Sequence, residues 1–187
     1  LPAVMVRCQR EGEKPNIITV AWTGTVCTNP PMVYISVRPQ RYSYDILDET
    51  GEFVINLTTK ELARATDYCG VRSGRDVDKF KETGLTAVEA TKVKAPLIAE
   101  APVNIECRIT EKKELGSHHM FLAEVLAVHV DEKYLDENGK FQLNKSGLIA
   151  YSHGEYLDLG KEIGTFGYSV KKKTKKPQKR RKKKVER

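Results

Sequence analysis

The chain has 187 residues with 40% hydrophobic content, long enough for one domain with a substantial core, and no apolar run approaches the roughly 18 residues of a membrane span. Residues Leu1 to Cys8 lack the basic start, long apolar centre and small-residue cleavage site of a secretion signal, so a soluble, cytoplasmic protein without membrane contact is expected. The net charge of +7 divides unevenly: Lys171 to Arg187 holds 12 basic residues and one acidic residue, which leaves 20 basic and 24 acidic residues in positions 1–170. A mildly acidic domain over 1–170 is therefore expected to precede a lysine/arginine-rich tail, 171–187, too poor in apolar surface to order itself.

The body reads mainly as strands. Ala3 to Cys8 is followed by a polar turn through Gly12 and Pro15, then by two β-branched runs, Asn16 to Trp22 and Met32 to Arg38. The stretch Thr23 to Asn29 between them reads as a small-polar loop, a row of backbone N–H groups and short hydroxyls suited to a planar, acceptor-rich, phosphorylated ligand. Ser43 to Thr50, closed by Gly51, predicts a short helix, and Glu52 to Leu57 returns as a strand. Thr58-x-x-Glu61 has the form of a capping box opening a helix to about Tyr68, and Val77 to Glu82 predicts another short helix before Gly84. Val103 to Thr110 alternates apolar and polar residues, as a strand with one buried face does. Glu111 to Ser117 reads as a hairpin turn. Met120 to Val130 is apolar nearly throughout, which predicts cover on both faces, the second face being available to another subunit. Many strands, a few small helices and no βαβ alternation point to a mainly β protein closed into an antiparallel barrel.

Several chemistries lack their motifs. The chain contains no G-x-G-x-x-G, no phosphate loop ending in Gly-Lys-Ser/Thr, no G-x-S-x-G and no H-E-x-x-H. Cys8, Cys27, Cys69 and Cys107 form no Cys-x-x-Cys pair, which argues against zinc, iron–sulfur or dithiol sites. Cys8 and Cys107 read as buried thiols, whereas Cys27 and Cys69 are left as possible site-lining residues. His118 and His119 are adjacent, and neighbours on a strand face opposite ways, so no metal site is expected there.

What remains is an ordered series. Asn16 to Pro31 is followed by Ser36-Val37-Arg38-Pro39-x-Arg41-Tyr42-Ser43-Tyr44, by Phe53-Val54-Ile55-Asn56-Leu57, and by Cys69-Gly70-x-x-Ser73-Gly74-x-Asp76-x-Asp78-Lys79-Phe80. Then come Gly116-Ser117-His118-x-x-Phe121-x-Ala123-Glu124-Val125 and Gly160-x-x-x-Gly164-x-Phe166-Gly167-Tyr168-Ser169. In this order, from about Ala3 to Lys171, the chain resembles the flavin reductase-like FMN-binding split-barrel family, and within it the flavoredoxin-like proteins.

The resemblance implies a six-stranded split barrel that forms a homodimer, with FMN near the subunit interface. By position it implies that Asn16, Thr19, Ala21, Trp22 and Thr23 lie along the flavin, that Ser36, Arg38, Arg41 and Ser43 surround the phosphate, and that Asn56 and Thr58 border the same pocket. Lys79, His118 and Phe166 match positions around the cofactor. Ala123 stands where a glycine is common in the family, and the tail has no counterpart. Elementary chemistry agrees on the phosphate: Arg38 and Arg41 offer planar forks, Ser43 a short neutral donor, and the following helix an N-terminus. Lys79, or N–H groups near Ser73 and Gly74, would offset charge on the reduced ring, and His118 is the candidate to donate a hydrogen bond to cofactor or substrate.

Taken singly, Trp22 reads as core and the arginine pair as solvated surface; it is their joint order that points to a flavin. The implied activity is an FMN-dependent oxidoreductase that passes electrons from NAD(P)H to an acceptor, such as a redox protein or metal ion. Two alternatives stay open: an FMN electron carrier with little NAD(P)H oxidase activity, and a module binding nucleic acid or another acidic partner through unspecific contact with the basic tail.

Overall fold

The computed structural model describes residues 1–171; the predicted tail from 172 onward lies outside the described residues. In chain order the elements are β1 (Val4–Cys8), β2 (Asn16–Val20), β3 (Thr23–Cys27), β4 (Met32–Val37), α1 (Tyr42–Thr50), β5 (Glu52–Leu57), α2 (Ala63–Val71) and α3 (Lys79–Thr83). They continue with β6 (Ala87–Val88), β7 (Leu97–Ile98), β8 (Val103–Leu115), β9 (His118–Val130), β10 (Ile149–Ser152) and β11 (Glu155–Asp158).

Seven strands form one sheet in the order β2-β1-β5-β8-β9-β4-β3, and every pairing in it is antiparallel. Its two edge strands, β2 and β3, are separated in sequence only by Ala21 and Trp22. So short a connection holds the two edges of the curled sheet together at one corner, and the Ser36 N–H, donating to the Trp22 carbonyl (2.8 Å), extends the β3–β4 ladder into that connection. The fold is therefore the expected mainly β split barrel, with seven sheet strands rather than six. The extra strand is the stretch expected as a loop: Thr23, Gly24 and Thr25 pair with Ile35, Tyr34 and Val33. Thr25, Val26 and Cys27 suit a pleated edge, and the true break falls at Ala21–Trp22.

Alternation along β1 decides what lies on each side. Val4, Val6 and Cys8 enter the main core with Ile35, Phe53 and Phe121, and α1 caps that core with Ile46 and Leu47. Met5 turns to the other face, where it packs with Leu62, Cys69 and Ile98. Arg7 shares that face and is fully buried. Its Nη1 donates to the Leu97 carbonyl at 2.7 Å and its guanidinium lies 4.1 Å from the Phe80 ring centroid, while Nε and Nη2 have no hydrogen-bond partner. Burial lowers its pKa to about 9. A buried cation without a counter-ion opposes folding, so Arg7→Met is expected to stabilise the protein by about 1–2 kcal/mol. Thermal unfolding of the variant measures this; a clear loss of stability would show that the Leu97 and Phe80 contacts outweigh the desolvation.

Four expectations about the elements are corrected. The alternating strand Val103–Thr110 does not leave its polar face in water: Asn104 and Glu106 are buried, because the segment leading to β7 covers them and uses them as hydrogen-bond partners. Asn56 and Asn104 both accept from the Ile98 N–H at 3.1 Å. Strand β8 runs on through Leu115, and the hairpin turns only at Gly116 and Ser117, with Gly116 at φ 71°. Strand β9 is not covered on both faces by this chain, since Val128 is 56% exposed. The proposed capping box does not form. Helix α2 starts at Ala63 behind Leu62 with no side-chain cap, and the Thr58 hydroxyl donates instead to the Ala3 carbonyl (2.6 Å). The other two helices fall near their predicted places, α1 closing on Gly51 at φ 67° and α3 opening on Asp78, whose side chain accepts from the Lys81 N–H.

Candidate functional site

Two adjoining cavities run along β2 where it passes α2. The larger, about 410 Å³, is lined at its centre by Ile18, Val20, Ala21, Val37 and Val71, with Trp22, Ser36, Arg38, Arg41 and His118 around them. The smaller, about 180 Å³, is lined by Asn16, Ser43, Ser73, Gly74 and four cations, Arg41, Arg72, Arg75 and Lys79. Ile18, Arg41, Gly70 and Val71 border both.

Close contacts between β2 and the α2 region set this geometry. A Cβ on Gly70 would stand 3.2 Å from the Thr19 Cβ, and one on Gly74 only 2.1 Å from Asn16 Oδ1 and 2.8 Å from the Tyr42 ring. Only glycine lets the loop after α2 approach so closely. The Thr19 hydroxyl donates to the Thr66 carbonyl, and Asn16 Nδ2 donates to Ser43 Oγ at 2.7 Å, tying β2 to the first turn of α1.

At the other end of β2, the Trp22 and His118 rings stack with centroids 5.5 Å apart and planes 17° from parallel. Trp22 stays 54% exposed, an aromatic surface available to a planar ligand. Ser117 Oγ is 2.9 Å from His118 Nδ1. Partial burial, then the charges of Arg38 and Arg41, lower the His118 pKa below its ordinary value, which favours the neutral ring. The adjacent His119 faces the other way, its Nδ1 2.7 Å from the Tyr44 hydroxyl.

Of the residues singled out by sequence, Thr19, Ala21, Trp22, Ser36, Arg38, Arg41 and His118 line the larger cavity and Asn16, Ser43, Ser73 and Lys79 the smaller. Four are used differently from what was expected. Asn56 is fully buried, with Nδ2 on the Met5 and Val54 carbonyls, so it is a sheet interior residue and borders neither cavity. Thr58 is likewise turned to the Ala3 carbonyl. The Thr23 hydroxyl donates to the Tyr34 carbonyl at 2.8 Å within the hairpin. Phe166 is fully exposed in the segment after β11 and touches neither cavity.

Lys79 borders the smaller cavity, but two of its three donors are engaged by the carbonyls of Ile17 (2.6 Å) and Cys69 (2.7 Å). Burial lowers its pKa to about 8. Cys69 also borders that cavity, yet burial pushes its thiol up to about 11 and that of Cys8 to about 12. Neither is a thiolate at neutral pH. Among the described residues no group of three or more His, Cys, Asp or Glu is arranged to hold a metal, and no helix is long and apolar enough to cross a membrane.

Sequence reasoning missed Arg72 and Arg75, which flank Ser73-Gly74 in a run already singled out, and whose basic character was a usable signal. It also missed Asp67, Tyr151 and Tyr156 on the wall of the larger cavity, where no local pattern marks them.

The donor set is specific in its chemistry. Among the described residues four cations, the three hydroxyl residues Tyr42, Ser43 and Ser73, and no carboxylate line the smaller cavity, which suits a multiply charged oxyanion. The apolar and aromatic larger cavity suits a planar ring system joined to it. Fold and site together define a split-barrel protein with two joined cavities, one suited to an anionic tail and the other to a flat head.

The chain belongs to the family described as flavin reductase like domain, whose model matches residues 1–160. It is similar to the flavoredoxin of Desulfovibrio vulgaris (Miyazaki F), with 32% identity, a TM-score of 0.84 and coverage of 91% of this chain and 92% of that one. A flavoredoxin from Methanosarcina acetivorans shows 30% identity and a TM-score of 0.80 over the same shares of the two chains. An uncharacterised protein of Archaeoglobus fulgidus is 34% identical over 143 residues, which are 76% of this chain and 80% of that protein.

Proposed function

We propose that this protein binds FMN in the joined cavities and acts as an oxidoreductase of the flavin reductase/flavoredoxin type, passing electrons from NAD(P)H to an acceptor. The single observation that carries this reading is the continuity of the two cavities: an oxyanion-binding end built from Arg41, Arg72, Arg75, Ser43 and Ser73 opens into an apolar and aromatic end at Ala21, Trp22 and His118. When bound, the flavin supplies acceptance of an electron pair and its release singly or together. The chain's own part is to hold and orient. Arg38 and Arg41 receive the phosphate, Gly70 and Gly74 let backbone approach the ligand, and Val20, Ala21 and Val37 exclude water from one side of the ring. His118, neutral and stacked on Trp22, keeps a ring N–H for a carbonyl oxygen or ring nitrogen.

The same reading includes a homodimer. Apolar side chains left exposed by one chain support it: Val128 on β9, and Ile163 (90%), Phe166 and Val170 (83%) after β11. Sedimentation of the full chain tests that part directly.

The test of the cofactor is the absorption spectrum of the purified protein, followed by titration with FMN. Bands of oxidised flavin near one equivalent per chain, bleached anaerobically by NADH or NADPH, are expected. A colourless protein that takes up no FMN at micromolar concentration would end the proposal; a bound flavin that neither nucleotide reduces would leave an electron carrier in its place.

A further inference from the structure

The flavin reading leaves one charged lining residue of the larger cavity without a role. Asp67 is the sole carboxylate among its lining residues. It stands three residues before Gly70 on α2, hence on the same helix face, and it borders the larger cavity but not the smaller. The Thr66 carbonyl next to it accepts from the Thr19 hydroxyl, so Asp67 is held where α2 crosses β2, while Arg72, Arg75 and Lys79 line the smaller cavity and not the larger. It takes part in no ion pair among the described residues.

Beside it stands an aromatic pair. Tyr151 and Tyr156 face each other across the β10–β11 hairpin, with ring centroids 5.3 Å apart and planes at 56°, and both line the cavity. Burial, and then the negative charge of Asp67, push the Tyr156 hydroxyl up to about 12, which puts the carboxylate and the phenol in one electrostatic environment. Two electron-rich rings, one of them hydrogen-bonded through its hydroxyl to a carboxylate that makes no ion pair among the described residues, form the arrangement that attracts a flat cation. The four cations of the smaller cavity and Arg38 have an anionic tail to neutralise; Asp67 has no cationic partner among the described residues.

We propose that Asp67, Tyr151 and Tyr156 form a charge-selective subsite in the larger cavity, which favours a cationic planar ring, of the pyridinium class, over a neutral ring of the same shape. The inference rests on the flavin reading and adds to it a specificity determinant for whatever approaches the ring.

The test uses the FMN-loaded full chain and two probes of one shape, the 1-benzyl-3-carbamoylpyridinium cation and its neutral carbon isostere 3-benzylbenzamide, titrated while the bound flavin's spectrum is followed. The wild type is expected to bind the cation about 5- to 10-fold more tightly than the isostere, the size expected of one charge pair at a partly solvated rim. Asp67→Asn brings that ratio to near 1, Asp67→Glu retains it, and the FMN dissociation constant, read from quenching of flavin fluorescence, stays within about threefold in both. A ratio near 1 in the wild type, or one that survives Asp67→Asn, would overturn the subsite while leaving flavin binding intact. Failure of the wild type to load FMN, seen before any probe is added, overturns the function and the subsite together.

Discussion

Replacing Arg41 with alanine is expected to weaken FMN binding by about 30- to 100-fold, the loss of one charge-assisted, two-pronged contact to a phosphate. Arg41 is the only cation bordering both cavities, and it sits at the N-cap of α1, whose first turn carries no side-chain cap. Its guanidinium and the free N–H groups of that turn therefore address the same point. Riboflavin has the same ring and lacks the phosphate, so its affinity should change by less than about threefold in the variant. Fluorescence titrations of the wild type and variant with both ligands give the answer. Equal losses for FMN and riboflavin would move Arg41 from the phosphate to the ring, and no loss for either would place the phosphate elsewhere.

The second large effect concerns the fold beneath the site. Glu106 is fully buried and accepts from the N–H groups of Thr91 (2.9 Å), Lys92 (2.5 Å) and Val93 (3.0 Å), from the Thr91 hydroxyl (2.8 Å) and from His129 Nε2 (2.5 Å). Burial alone would raise its pKa; the bonds from Thr91, His129 and Lys92 more than offset that, and the pKa falls to about 2. One carboxylate thus anchors the connection from α3 to β8, which also carries Leu97 and Ile98 onto Arg7 and Asn56. Glu106→Ala leaves these donors unpaired and is expected to cost about 3–5 kcal/mol, a fall in Tm of about 10 °C.

The pH dependence has a definite sign. A carboxyl whose folded pKa lies below its unfolded value binds fewer protons in the native state, so its stabilisation is full above about 4.5 and is lost as the pH falls toward about 2. Wild-type Tm should drop over that window more steeply than that of Glu106→Gln, which carries no ionisable group there. Parallel curves for the two proteins would show that the anchor's charge contributes nothing.

Much of the fold can be read from local patterns because the side-chain period of a strand is a local property. The strand read at Ala3 to Cys8, the β-branched runs at Asn16 and Met32, and Gly51 closing α1 all describe what the structure shows. The same patterns misread Asn104 and Glu106. Polar residues on a strand signal an outer face, and only the arrival of residues 90–98 from elsewhere in the chain turns that face into an interior. Asn56, Thr58 and Thr23 turn to carbonyls for the same reason: a polar side chain near a site by sequence order has no signal telling whether it points to a ligand or to a neighbouring carbonyl.

From its sequence alone this protein had its inner sheet face, its short helices and the spacing of Arg38, Arg41 and Ser43 determined, since each depends on neighbours within a few residues. The meeting of Asp67 with Tyr151 and Tyr156, the burial of Arg7 and Glu106, and the joining of two cavities along β2 were decided by tertiary structure. They depend on segments up to 90 residues apart, such as Arg7 and Leu97, whose encounter no local pattern encodes. Burial then sets the charge state and the partners of each group.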